Sequence, residues 1–250
     1  MASGIRTAEQ LPNMRTVAQL NHEYDRLERQ WRQSPEHERI HKLLQDSVAG
    51  KRKLIKQCIC VAIGDLNTVN QEDFEMRIRQ LVIFMDLHTY GKLKPPNICP
   101  LAAYDIAVSG TSSNPNALST SLKPAYVQEL PSRLTTEDEA FFKSKGLQLV
   151  LPPQAEHLVD SSTFLYAPAF PKDCLVLDFL PTSPVVCIGT DIHSLKDDEQ
   201  TQGLVAWLKQ SGTGRTEAEL QTMAPITREF LKKRSAVDFL DDYNISFLYV

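Results

Sequence analysis

The feature that most constrains the fold is a run of six apolar residues at 58–63, with the sequence CICVAI. Side chains of a strand alternate between two faces, so an unbroken apolar run is typical of a central parallel strand buried on both sides. Gly64 follows and permits a sharp turn. Residues 71–89 then carry apolar side chains at helical spacing and end before Gly91. This strand–turn–helix unit predicts an α/β sheet.

The rest of the chain continues this alternation of short apolar runs and helical segments. Strands are predicted at 101–108, 125–128, 147–151, 163–166, 185–188 and 245–250, the last at a sheet edge. Helices are predicted at 135–145, at 201–210, after Thr216 and at 226–233. Residues 174–180 fit either a short helix or a strand. Residues 109–123 have the composition of a loop. We therefore expect an α/β protein with a three-layer, Rossmann-like, mostly parallel sheet and helices on both faces.

The first 50 residues predict a loose tail and a helical extension. Apolar residues recur at positions 17, 20, 24, 27 and 31, which predicts a helix over 15–33. A second helix is expected after Ser34, with Pro35 in its first position. The first helix could form a coiled-coil dimer or pack on the body of the domain, and we expect the packing. Residues 1–50 are thus the extension, and 51–250 form a single α/β domain.

Composition excludes several classes of function. A net charge of −4 argues against a general nucleic-acid binder. No apolar run approaches the roughly 20 residues of a membrane span, and the N-terminus lacks the apolar core of a signal peptide. The five cysteines include no Cys-x-x-Cys pair, which favours reduced thiols. We expect a cytoplasmic protein, with the nucleus also open, that binds neither nucleic acid nor membrane. Its oligomeric state is undetermined.

Three carboxylates follow predicted strands and mark a candidate ligand site. Asp65, Glu129 and Asp191 would meet at the carboxyl edge of a parallel sheet, where α/β proteins bind ligands. The other candidates for this site are Gly64, Gln80, Gln128, Tyr166, Gly189 and Thr190. The carboxylates could instead cap helices or fix loops, and both interpretations stay open. No set of residues completes a catalytic constellation, so neither a catalytic residue nor a cofactor is predicted.

One metal-binding pattern occurs near the N-terminus. His37, Glu38 and His41 match His-Glu-x-x-His, in which two histidines one helical turn apart bind zinc. Charged residues crowd the segment, and Glu38 points away from the apolar face of the helix. No later His-x-x-Gly-x-x-His segment supplies a third ligand. We therefore expect no metal at this motif.

Several short motifs together resemble a known family. They are Ile-Gly-Asp-Leu at 63–66, Arg-Gln-Leu at 79–81, Tyr-Val-Gln-Glu at 126–129, Thr-x-x-Asp at 135–138, Val-Asp-Ser-Ser-Thr at 159–163, Ala-Pro-Ala at 167–169 and Cys-Ile-Gly-Thr-Asp at 187–191. In this order they resemble the sensitivity-to-red-light-reduced (SRR) domain family, in its fungal form. The chain departs from the family pattern at Ala169, where many members have His, at Thr190, where many have Asn, and at Glu129, where many have Asp.

The resemblance implies a Rossmann-like domain linked to light and circadian signalling in plants and to haem synthesis in animals, with no well-defined molecular activity. The missing histidine at Ala169 weakens any haem or metal role for that position. We expect a non-enzymatic regulatory domain that binds a protein partner or a small ligand. The alternative is a nucleotide- or cofactor-dependent transferase that uses the carboxyl edge of the sheet.

Overall fold

The structure is a computed structural model. It describes residues 14–51, 53–61, 63–64, 66–68, 70–90, 125–128, 134–150, 154–168, 170–211, 214–232, 234–240 and 245–249. The strand predicted at 101–108 and the loop predicted at 109–123 lie outside these residues, as do Asp65, Glu129 and Ala169.

Helices make up most of the described chain. They are α1 (Val17–Arg32), α2 (Pro35–Val48), α3 (Gln71–Tyr90), α4 (Thr136–Ser144), α5 (Gln154–Leu158), α6 (Lys172–Cys174), α7 (Asp198–Ser211), α8 (Glu217–Gln221) and α9 (Met223–Leu231). A π-helical turn, Leu175–Phe179, continues α6, and 3-10 turns occupy Ala49–Lys51, Leu180–Thr182 and His193–Lys196. The segment after Cys174 is therefore helical, which decides between the helix and the strand that its sequence allowed. None of the helices in the described ranges is both long and apolar enough to cross a membrane.

Within the described ranges, seven strands form one mixed sheet. They are β1 (Gln57–Val61), β2 (Ala125–Gln128), β3 (Gln148–Val150), β4 (Thr163–Ala167), β5 (Val186–Gly189), β6 (Ala236–Leu240) and β7 (Ile245–Tyr249), in the order β3-β2-β1-β4-β5-β7-β6. The first five strands in this order run parallel. In β1, Ile59 pairs with Tyr126 on one side and with Leu165 on the other. The predicted central position of this strand is confirmed.

The two C-terminal strands differ from the prediction. β7 lies between β5 and β6 and pairs antiparallel with both, so the expectation that it forms an edge is wrong. Among the described strands, the one at the edge on this side is β6, which the sequence analysis missed. A short connection suits an antiparallel pair, and Leu240 pairs with Ile245. The alternating Ala-Val-Asp-Phe-Leu of β6 follows directly after a helix and was not recognised as a separate strand.

Helices pack on both faces of the sheet. Cys58 and Cys60 belong to a core shared with α1, α2, α3 and α4, whereas Ile59 and Val61 belong to a second core shared with α5, the π-helical turn and α7 to α9. Burial on both sides explains the unbroken apolar run of β1. The chain is therefore a mixed α/β protein. Cys187 is fully buried, and burial raises the pKa of its thiol to about 12, so this thiol stays protonated.

The N-terminal helices pack on the body, as predicted. The apolar stripe of α1 is buried in the first core through Leu20, Tyr24, Leu27 and Trp31. A capping box between Thr16 and Gln19 begins this helix. The Ser34 hydroxyl accepts a hydrogen bond of 3.2 Å from the backbone N–H of His37, which fixes the start of α2.

Candidate functional site

The carboxyl ends of the parallel strands gather most of the predicted site residues at one edge. Gln128 ends β2 and pairs with Val61, the last residue of β1. Gly189 ends β5 and pairs with Ala167, the last residue of β4. Thr190 and Asp191 follow Gly189, and Gly64 follows β1 in the chain. The described members of this group therefore share one edge of the sheet, and a common ligand site there stays a prediction.

The chain leaves this edge in two opposite directions. After β1 it enters α3, whose Phe74 and Ile78 lie in the first core. After β4 it enters the π-helical turn, whose Leu175 and Phe179 lie in the second core. β1 and β4 are neighbours in the sheet, and the segments that follow them pack on opposite faces. In α/β sheets such a switch point leaves a crevice outside the carboxyl ends of the strands.

The turn after β1 requires glycine and is covered by an arginine. Gly64 has φ +90°, a left-handed conformation that L side chains rarely adopt. A Cβ atom at this position would also lie 3.0 Å from Cζ of Arg77. The guanidinium group of Arg77 therefore lies directly against the turn, at the side of the proposed crevice. Sequence analysis did not single out Arg77, since its position depends on how α3 packs.

A hydrogen-bond network ties this loop to α1 and α4. The amide nitrogen of Asn67 donates to the Thr135 hydroxyl at 3.0 Å and to Oδ1 of Asp138 at 2.9 Å. The amide oxygen of Asn67 accepts a 2.7 Å hydrogen bond from the backbone N–H of Arg15. Asp138 is fully buried and also closes the capping box with Thr135. Asn67 thus joins three segments, a role that its sequence context did not indicate.

Asp191 fixes its own loop with one carboxylate oxygen and keeps the other available. Its Oδ1 accepts a 2.7 Å hydrogen bond from the backbone N–H of His193, which supports the loop-fixing interpretation for this residue. Among the described residues, none donates to Oδ2 of Asp191, so that oxygen remains able to accept from a ligand. The other two carboxylates of the predicted cluster, Asp65 and Glu129, lie outside the described residues.

Gln80 and Tyr166 lie below the surface and not on an open wall. Gln80 is 2% exposed and Tyr166 is fully buried. The ring of Tyr166 stacks on Phe84 at a centroid distance of 5.6 Å. Within the described part of the chain its hydroxyl has no hydrogen-bond partner, and burial raises its pKa well above the usual value. The phenol is therefore neutral near pH 7 and could meet only a ligand that reaches the core.

An open groove of about 650 Å³ lies near the segment that follows β4. Its lining includes Cys174, Trp207 and Arg215. Arg215 forms an ion pair and hydrogen bond with Asp178, and this hydrogen bond raises the pKa of the guanidinium group. Burial raises the pKa of the Cys174 thiol. A protonated thiol is a poor nucleophile, so Cys174 is not an activated nucleophile in this groove.

The histidine motif acquires a third partner that the sequence analysis missed. Asp86 of α3 lies within reach of both His37 and His41, with Nε2 to Oδ2 distances of 3.4 and 2.8 Å. Asp86 is thus a candidate third ligand from outside the motif, which the sequence analysis did not consider. Glu38, which would be the base in a zinc protease, is exposed on α2. Asp86 is far away in the chain, and no spacing rule links it to the motif.

Comparison with known families agrees with the motifs found in the sequence. The family model of the SRR1 domain matches residues 28–245 of the chain. The chain belongs to the SRR1 domain family. This match concerns the SRR1 family as a whole and not its fungal form. The match begins inside α1, so the predicted division of the chain at residue 50 stays a prediction. Searches of curated proteins and of solved structures returned no match.

Proposed function

We propose that this SRR1 domain is a regulatory domain that binds a small ligand or a partner protein at the carboxyl edge of a Rossmann-like, three-layer sheet, without catalysing a reaction. The observation that carries the proposal is the switch point between β1 and β4, from which the chain departs to opposite faces. Crevices of this kind are the usual ligand sites of α/β sheets.

The charge around the crevice indicates the kind of group that it would accept. Helix α3 begins at this edge with Glu72 and Asp73 in its first turn. Asp191 adds a carboxylate oxygen on the other side of the switch point. Carboxylates next to a helix N-terminus compete with a bound phosphate for the same backbone N–H groups and repel its charge. These carboxylates favour hydrogen-bond donors, such as the amide groups of a peptide, and the guanidinium group of Arg77 at the Gly64 turn adds a positive charge at the same edge.

The alternative function is a nucleotide- or cofactor-dependent transferase. The same switch point supports it, because dinucleotide-binding enzymes use this position of the sheet. The acidic first turn of α3 weighs against it. The location of the protein in the cytoplasm or nucleus remains a prediction. The absence of a nucleic-acid partner also remains a prediction, supported by the net charge of −4.

A thermal-shift screen with two matched variants tests the site. Asp191→Asn removes the charge at the carboxyl edge. Asp160→Asn makes the same change before β4, at the amino edge, where Oδ1 of Asp160 accepts a similar 2.8 Å hydrogen bond from the backbone N–H of Ser162. The ligands are nucleotides, S-adenosylmethionine, haem and short basic peptides. A ligand that binds only the folded state raises the midpoint of unfolding.

We expect a ligand to raise the midpoints of the wild type and of Asp160→Asn by similar amounts and that of Asp191→Asn by clearly less. Equal shifts in the two variants would contradict a site at the carboxyl edge. Mass spectrometry of the ligand after incubation distinguishes the two functions. An unchanged ligand supports the regulatory domain, and a modified nucleotide or cofactor supports the transferase.

A further inference from the structure

Two helices bring two imidazoles and one carboxylate together near the N-terminus. His37 and His41 lie one turn apart on α2, and Asp86 lies on α3. One ligand atom from each of these residues can be chosen so that all three lie within 4.8 Å of one another. The residues are distant in the chain, so the group depends on the tertiary fold.

The spacing of the ligand atoms suits a metal ion. Zinc binds imidazole and carboxylate ligands at about 2.0–2.2 Å, so the ligand atoms around a tetrahedral ion lie about 3.3 Å apart. Nε2 of His37 lies 3.4 Å from Oδ2 of Asp86, which matches this spacing and exceeds the usual N–H···O distance. Nε2 of His41 lies 2.8 Å from the same oxygen, so this ligand would move outward by about half an ångström to admit the ion.

The surroundings of the group are those of a site that an ion can enter. The indole N–H of Trp31 donates a 3.0 Å hydrogen bond to Oδ2 of Asp86, and such bonds orient metal-binding carboxylates. The side chains of His37, His41 and Asp86 are 21, 25 and 12% exposed. They are thus held by packing on one side and reached by solvent on the other, which provides an entry path.

We propose that His37, His41 and Asp86 bind one Zn²⁺ ion, with a water molecule in the fourth position, and that the ion fastens α2 to α3. The site differs from that of a zinc protease, because the exposed Glu38 is not part of the group. It also differs from the carboxyl-edge site. Asp86 lies about four turns after the start of α3, roughly 22 Å along the helix.

Zinc titration of the metal-free chain tests the proposal, with stoichiometry from calorimetry and stability from thermal unfolding. The site variants are His41→Ala and Asp86→Asn. The matched controls are His22→Ala and Asp46→Asn, which change exposed residues of α1 and α2 outside the group. We expect one Zn²⁺ per chain in the wild type and in both controls, with a raised midpoint of unfolding. Both site variants should bind at least about tenfold more weakly.

A second measurement needs no variant and so does not depend on how the variants fold. Co²⁺ in place of zinc should shift or broaden the imidazole NMR signals of His37 and His41 and leave those of the exposed His22 and His157 unchanged. The proposal is overturned by a wild type that binds no zinc at micromolar concentration, by site variants that bind as tightly as the controls, or by Co²⁺ effects centred on His22 or His157.

Discussion

Asn67 is a side chain that joins three segments at the carboxyl edge. Its amide donates to Thr135 and to the fully buried Asp138 and accepts from the backbone of Arg15. Asn67→Ala leaves the buried carboxylate of Asp138 with one donor fewer, and an unsatisfied buried group costs about 1–3 kcal/mol. We expect the free energy of unfolding to fall by that amount in urea denaturation. Gln45→Ala, which changes an exposed residue of α2, should change it by less than about 0.5 kcal/mol. If both variants lowered the free energy of unfolding by less than about 0.5 kcal/mol, the Asn67 network would contribute little to stability.

Individual site residues were predictable only where a strand end could be recognised. Gly64, Gln128, Gly189 and Asp191 end or follow parallel strands at one edge, because a parallel sheet puts all its carboxyl ends there, and their role as a ligand site stays a prediction. Arg77 and Asp86 were missed. Arg77 contacts Gly64 and Asp86 contacts His41 only because of the way α3 packs. The burial of Gln80 and Tyr166 was likewise not evident, since the residue type of a polar side chain does not show whether it is buried or exposed.

Two glycines should respond in opposite ways to the same substitution, because their elements use them differently. Gly203 lies inside α7 and is exposed, and a Cβ atom added there would meet nothing within 4 Å. Gly203→Ala should raise the free energy of unfolding by about 0.5–1 kcal/mol. Gly64→Ala should lower it by about 1–2 kcal/mol, because its φ is +90° and Arg77 occupies the space. Urea denaturation of both variants measures the pair. A destabilising Gly203→Ala, or a neutral Gly64→Ala, would contradict this description of the two elements.

At the scale of elements, the sequence predicted the helices, from periodicity and caps, better than it predicted the order of the strands in the sheet. The helices predicted at 135–145 and after Thr216 are present, and each begins with a capping box, at Thr135 and at Thr216. A cap is a local interaction of three or four residues, so the sequence shows it. The order of β7 and β6 was missed, because strand neighbours are chosen by contacts across the whole sheet. An apolar C-terminal run fits an inner strand as well as an edge strand.

The molecule as a whole is a mixed α/β protein with a switch point between β1 and β4, in a chain that belongs to the SRR1 domain family. The α/β class followed from the buried run of β1 and the helix after it. The function could not be predicted from the sequence in the same way. The side chains around the crevice determine which ligand binds, whereas the sheet only forms the crevice.

The most direct test of the proposed function is an amide NMR titration with a ligand that stabilises the protein in the thermal-shift screen. Signals of Gly64, Gly189 and Thr190, at the carboxyl ends of their strands, should shift as the ligand is added. Those of Gln57 and Ser162, at the amino ends of β1 and β4, should stay in place. Shifts centred on the amino edge, or on the groove at Trp207 and Arg215, would contradict a site at the switch point.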